Sequence, residues 1–383
     1  MRKMILLSLG LLVMTSSVLA AESKLMQIDN LPNCKLYHGY NKELDERVYW
    51  SGRCIDGLAH GVGVAEFWFG KGGQPAEGRH IIEGQFVNGQ LTGAYSMKSY
   101  GSEGVVVEEL GTLINGNLHG PVSYEYANGT ILNTYYEKGV KVGEDLIIDH
   151  KGNEYTGLRD QKGFQGKVRI KFSGKGGGRI GALNIEFKDN LPGEVGEFEM
   201  QSGWIVKGPF DFKTRSVNGE GEIVLHGGGR YAGLIKNNKP YGRGVYEDGL
   251  FVIRAVFDGS FFDGEGEIRS KTDSRIYTGV FKGGEPNGRG TIMVRPGYFK
   301  KGTFVDGRLE GHGRILLDGM TIAGEFENGD PVGKFTLPLS GNGDCFIEID
   351  NDYMPIGRGL WVHRGEKKGT CHFNGSRMVL NRY

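Results

Sequence analysis

Hydrophobic and polar residues alternate with a period of two along most of the chain. In Ile276 to Val294, "IYTGVFKGGEPNGRGTIMV", Tyr277, Gly279 and Phe281 share one side of a first run. Gly288, Gly290, Ile292 and Val294 share one side of the next run. The same parity aligns Ile82, Gly84 and Phe86, then Gly219, Gly221, Ile223 and Leu225, then Gly311, Gly313, Ile315 and Leu317. One side is glycine with apolar or aromatic residues. The other is Arg, Glu, Lys, Thr and His. This pattern predicts half-buried antiparallel strands. Helical periodicity is absent outside the first twenty residues.

The glycines repeat at a fixed spacing, and a repeat decides the fold before any other feature. After Gly279, glycines follow 5, 4 and 2 positions later. The full spacing recurs at Gly52, Gly57, Gly61, Gly63 and at Gly302, Gly307, Gly311, Gly313. Three of the four are kept in the copies starting at Gly84, Gly111 and Gly324. The copy at Gly233 has Asn238 in the second place, where a residue tolerant of positive φ fits. Weaker copies start at Thr134, Gly157, Asn184, Gly208 and Gly259, the last two with an insertion and a deletion. Starts fall about 23 residues apart, giving about twelve units over residues 49–337. A further glycine five residues before many starts, as in "ANGT" and "LDGM", marks a hairpin turn. Each unit reads strand, loop, strand, turn.

Composition sharpens this picture. The chain has 383 residues, of which 67 are Gly and only 11 Pro. A Gly-rich disordered chain would be poor in apolar residues, yet 38% here are hydrophobic and 11% aromatic. Residues 1–20 read as a secretory signal: "MRK", the apolar run "MILLSLGLLVM", then small residues with cleavage after Ala20. Cleavage removes Arg2 and Lys3, leaving 44 basic against 46 acidic side chains and arguing against nucleic acid as a partner. No cysteine follows the cleavage site, so no lipid anchor is expected there. The expected location is the periplasm or the outside of a bacterial cell.

Four cysteines form a near pair at each end, and the compartment is oxidising. The expected disulfides are Cys34–Cys54 and Cys345–Cys371. The rival is a metal site from Cys345, His363, Cys371 and His372, whose spacing fits no common zinc signature.

The stretch "YTGVFKGGEPNGRGTIMV" resembles a MORN repeat, roughly Y-x-G-x-F/W-x-x-G-x-x-x-G-x-G, over about three-quarters of the chain. Residues 84–152 are closer to the looser variant repeat of bacterial MORN-like proteins. The resemblance implies an all-β fold: an elongated single-sheet array of consecutive hairpins, with aromatics packed over the glycines. It also implies protein–protein contact, dimerisation and, in some members, phospholipid binding. Array ends expose unpaired strand edges and need caps. Residues 21–48 and 338–383 are the expected caps, stapled by the disulfides.

Candidate chemistry is sparse. "GGGRIG", Gly176 to Gly181, matches G-x-G-x-x-G, but no helix follows it, so the dinucleotide-binding context is missing. His60 and His119 each precede a third repeat glycine and read as architecture. Glu220, Glu222, Glu265 and Glu267 read as a solvated face, and Trp50, Trp68, Trp204 and Trp361 as core or cap residues. The most suggestive cluster is basic: Lys167, Arg169 and Lys171 on one strand face, with Lys175 and Arg179 in the following loop. It suits an anionic lipid or glycan. The sequence thus points to a non-enzymatic binding or scaffold protein without a cofactor. The expected partner is another envelope protein or a second copy of itself. Anionic lipid or lipopolysaccharide-type glycan binding at 167–179 is the alternative.

Overall fold

The computed structural model describes residues 23–39, 45–70, 78–101, 104–174, 179–261 and 263–383. The signal segment lies outside them. Every regular element among the described residues is a strand. The chain divides into two units, one ending at Glu197 and one from Phe198 to Tyr383. Within each unit, successive strands pair antiparallel with their sequence neighbours, as the alternation predicts. One short parallel contact, Lys35 opposite Leu58, makes the pairing mixed.

The hairpin of Ile276–Lys282 and Glu285–Arg295 shows what the repeat glycines do. Gly283 and Gly284 carry φ of 60° and 82° and form the two-residue turn. Two positive φ values give a primed turn, whose twist matches that of the flanking strands. Asn237 and Asn238 take the same conformation, at 52° and 63°. The pairing then slips by two between Gly279 and Phe281, opposite Gly288 at φ 115°. Gly288 therefore makes a β-bulge rather than a seat for an aromatic ring, as the parity had implied. Gly279 and Gly290 face each other across the strands.

The ring of Tyr277 lies flat over that glycine pair, and its hydroxyl donates to the Val280 carbonyl. Tyr277 and Phe281 are buried. A Cβ on Gly279 would come 2.6 Å from the Gly290 Cα, and one on Gly290 would enter the Tyr277 ring. The copy at Gly233 repeats this, with Tyr231 over Gly233 and Gly244 and its hydroxyl 2.7 Å from the Leu234 carbonyl.

These pairs join into one row across the second unit. Gly221, Gly233 and Gly244 are neighbours in register, followed by Ala255, Gly266, Gly279, Gly290 and Gly302. Gly313 and Gly324 continue it. The row corrects two repeat starts. Ala255, not Gly259, occupies the glycine place, with Gly264 and Gly266 at the regular spacing and no deletion. Gly259 sits in the turn beyond strand Phe251–Asp258. Ile185, not Asn184, starts the earlier unit, since it stands opposite Val168 and under Gly196.

The first unit fills the same row differently. Tyr95, Val122, Asp145 and Val168 stand where the fourth glycine would be, and all four are buried. At these places bulk is supplied by the row itself, whereas the copy at Gly52 keeps a ring, Trp50, over Gly52 and Gly63. Ahead of it, the hairpin of strands Ser23–Ile28 and Leu31–Gly39 covers the apolar side. Its Ile28, Cys34 and Leu36 join Trp50, Phe67 and Phe86 in one core.

Both expected disulfides form. Cys34–Cys54 ties this covering hairpin to strand Arg53–Ile55, with Cα atoms 5.9 Å apart. Cys345–Cys371 joins strands Gly343–Ile349 and Glu366–Phe373 across the strand between them, Pro355–His363. It passes over Gly359, where a Cβ would lie 2.9 Å from the Cys371 Sγ. The cap strands continue the hairpin pairing from strand Asp330–Leu339. The metal reading is thereby replaced, because both cysteines are oxidised.

Two outcomes follow from these contacts. Gly290→Val should cost about 3 kcal/mol in urea unfolding, falling below about half of that in a Tyr277→Ala background, because ring and Cβ compete for one volume. Gly359→Val should prevent the Cys345–Cys371 bond while sparing Cys34–Cys54, read as two alkylatable thiols by mass spectrometry.

Candidate functional site

The basic cluster lies on strand Gly163–Ser173. Val168, Ile170 and Phe172 point into the core, which turns Lys167, Arg169 and Lys171 outward. Each has a neighbour that limits it. Lys171 pairs with Glu154 at 2.8 Å, Arg169 donates to the Asn184 side chain at 3.1 Å, and Lys167 stands opposite Glu186. The backbone of Arg179 opens the next strand, Arg179–Lys188, while Lys175 lies outside the described residues. The structure therefore brings three of the five cations onto one face and sets two carboxylates among them.

The sequence reading missed a buried polar chain in the first unit. Glu109 is 4% exposed and accepts a hydrogen bond from the Tyr95 hydroxyl. Burial pushes its carboxyl up, and the Tyr95 bond offsets this only in part. Burial and the adjacent Glu109 push the Tyr95 phenol up in turn. Three strands on, Asp145 is 1% exposed, with Oδ2 held by Lys141 at 2.9 Å and Arg159 at 4.0 Å. Both acids occupy places that the repeat gives to other residue types. Glu109 precedes Gly111 by two, as Tyr277 precedes Gly279, and Asp145 replaces a fourth glycine. Their burial closes them to a substrate, and they act as internal ties.

A second missed feature sits under the N-terminal hairpin. His38 stacks on Phe67 with ring centroids 3.9 Å apart, and His80 stands directly across the strands from Phe67. Neither His38 Nε2 nor His80 Nδ1 has a hydrogen-bond partner. Burial, and secondarily His80, pulls the His38 imidazole down to about 3; burial lowers His80 as well. Trp50 and Trp361 are core residues, whereas Trp68 lies beneath the Arg79 guanidinium at 5.2 Å.

The outward face of the second unit is a further open surface. One residue along from the glycine row, Leu234, Val256 and Val280 are 41%, 52% and 40% exposed. Between and beside them on successive strands stand Glu220, Arg243, Glu265 and Arg289. No ion pair among the described residues involves these four charges. Around Leu234 the surface dips into a depression of about 400 Å³, lined by Glu220, Gly221, Gly233, Leu234 and Arg243. Gly221 and Gly233 leave that floor without side chains.

The histidine pair sets a pH response. A folded-state pKa below the unfolded value means that only the unfolded chain binds the proton between pH 6.5 and about 3. Stability should be unaffected by His38 above pH 6.5 and should fall as pH drops through that window. The loss approaches about 1.4 kcal/mol per pH unit. His38→Phe should flatten the decline in urea midpoints between pH 6 and pH 4, roughly the middle of the window. The sequence matches no protein-family model.

Proposed function

We propose that the chain is a non-enzymatic binding or scaffold protein of the bacterial envelope, built as a MORN-like hairpin array. Its working surface is the outward side of the strands. The observation that carries this reading is the division of labour between the two sides of each strand. One side is consumed by rings and aliphatic groups over the glycine row. The other presents exposed aliphatic residues and unpaired charges on successive strands, a mixture suited to a protein partner.

The location rests on two supports. Residues 1–20 have the layout of a secretory signal, and the two disulfides fit an oxidising, non-cytoplasmic compartment. No helix among the described residues is long and apolar enough to cross a membrane. Periplasmic residence accommodates all three facts.

In-cell cross-linking with mass spectrometry tests the reading. It should recover one dominant envelope protein, or this chain itself, with cross-links on the outward strand residues. Recovery of abundant proteins at random would overturn it. So would retention on anionic vesicles that Lys167→Ser with Arg169→Ser abolishes, which would transfer the function to the basic strand.

A further inference from the structure

The outward row of the second unit reads, strand by strand, Glu220, Leu234, Arg243, Val256, and then Glu265, Val280, Arg289. Reversed, it is complementary to itself. Turning one copy over about an axis along strand Phe251–Asp258 sets Glu220 against Arg289 and Leu234 against Val280. Arg243 then meets Glu265, and Val256 meets its own equivalent on the axis. Within this row every charge finds the opposite sign and every aliphatic residue an aliphatic one. From this pattern we infer that a second copy of this chain is the occupant of the face, in an isologous two-fold dimer.

The surroundings fit this pairing. Val280 of the second copy lies over Leu234, where the depression between Glu220 and Arg243 can receive it. One step along the strands, Ala232 meets Thr278, Val245 meets Glu267 and Arg254 meets its own equivalent. Arg254 falls on the axis there and brings its own Glu267, 3.6 Å away. Lys236, Asp258 and Lys282 stand at strand ends beside the turns, on the rim, where water and salt screen them.

The scale is adequate. Strands sit about 4.8 Å apart, so a row over seven strands is about 30 Å long. With its flanking rows it covers about 600 Å² per copy, near the lower bound for a specific interface. That size, with four charge pairs across the axis, predicts a reversible dimer that salt weakens. The inference rests on the outward side being a binding surface; of the two partners expected from the sequence it selects a second copy and gives the surface and two-fold arrangement through which it binds.

Sedimentation of the full mature chain tests it. Wild type should dimerise at micromolar concentration, and less at high salt. Arg243→Glu and Glu265→Arg should each weaken self-association at least about tenfold, since each creates two like-charge contacts. An equimolar mixture of the two variants should dimerise again, because Glu at 243 of one chain then faces Arg at 265 of the other. Both positions are exposed, so thermal unfolding should match wild type. Val256→Cys should cross-link two chains on mild oxidation, all native cysteines being already paired. A wild-type monomer at about 100 µM, or a dimer indifferent to both reversals, would overturn the inference. A monomer that still cross-links one envelope protein in cells overturns self-pairing and leaves the scaffold reading standing. A dimer whose in-cell cross-links recover abundant proteins at random does the reverse.

Discussion

Much of the second unit depends on one steric condition: the space above the central row belongs to a ring or, over Gly302 and Gly313, to Leu309, so it cannot also hold a Cβ. Tyr277 occupies the volume that a side chain on Gly290 would need. Tyr231 does the same over Gly244. A single sheet layer has no second layer to bury its apolar side. Laying rings along the sheet lets each hairpin cover its neighbour, and Tyr231 is left with no exposed area at all. The phenol hydroxyl stays satisfied because the ring ends over a backbone carbonyl, that of Leu234 or Val280. The motif spacing follows from this: tyrosine, a glycine two later to lie on, and the acceptor three later.

The first unit meets the same condition in reverse. Where Tyr95, Val122 and Val168 replace the fourth glycine, the row carries its own bulk. The looser glycine pattern of residues 84–152 is thus a conserved volume obtained from a different strand position. Glu109 and Asp145 show how far the exchange can go. A buried acid is tolerated only with partners, and Tyr95 and Lys141 supply them.

Much of this was legible in the sequence because the repeat is local. Turn, bulge and row glycines are set by φ and by neighbours within one hairpin, so their spacing is written in consecutive residues. The reading failed where a residue of another type filled the place. Ala255 hid a repeat start because its methyl group fits the row, and Ile185 hid another for want of a glycine. Glu109 and Asp145 were visible as exceptions to the pattern, but only once each place had a known neighbour. The contact of His38 with Phe67 was not legible, since it depends on how the terminal hairpin folds back over the sheet. Nor was the charge order of the outward row. It emerges only when every bulge has been counted into the cross-strand register.

The bridge at the C-terminal end has a mechanical consequence. It links two strands that are not hydrogen-bonded to each other and skips the one between them. Tension applied at Tyr383 would peel strand Met378–Arg382 one hydrogen bond at a time, the weak zipper mode of loading. At Cys371 the load leaves the hydrogen bonds and passes through a covalent link to Cys345. Strand Pro355–His363 is then bypassed, and the load next falls on the pairing of Cys345 with Leu337 on strand Asp330–Leu339. The cap therefore keeps the looped strand out of the load path for as long as the bridge stays oxidised.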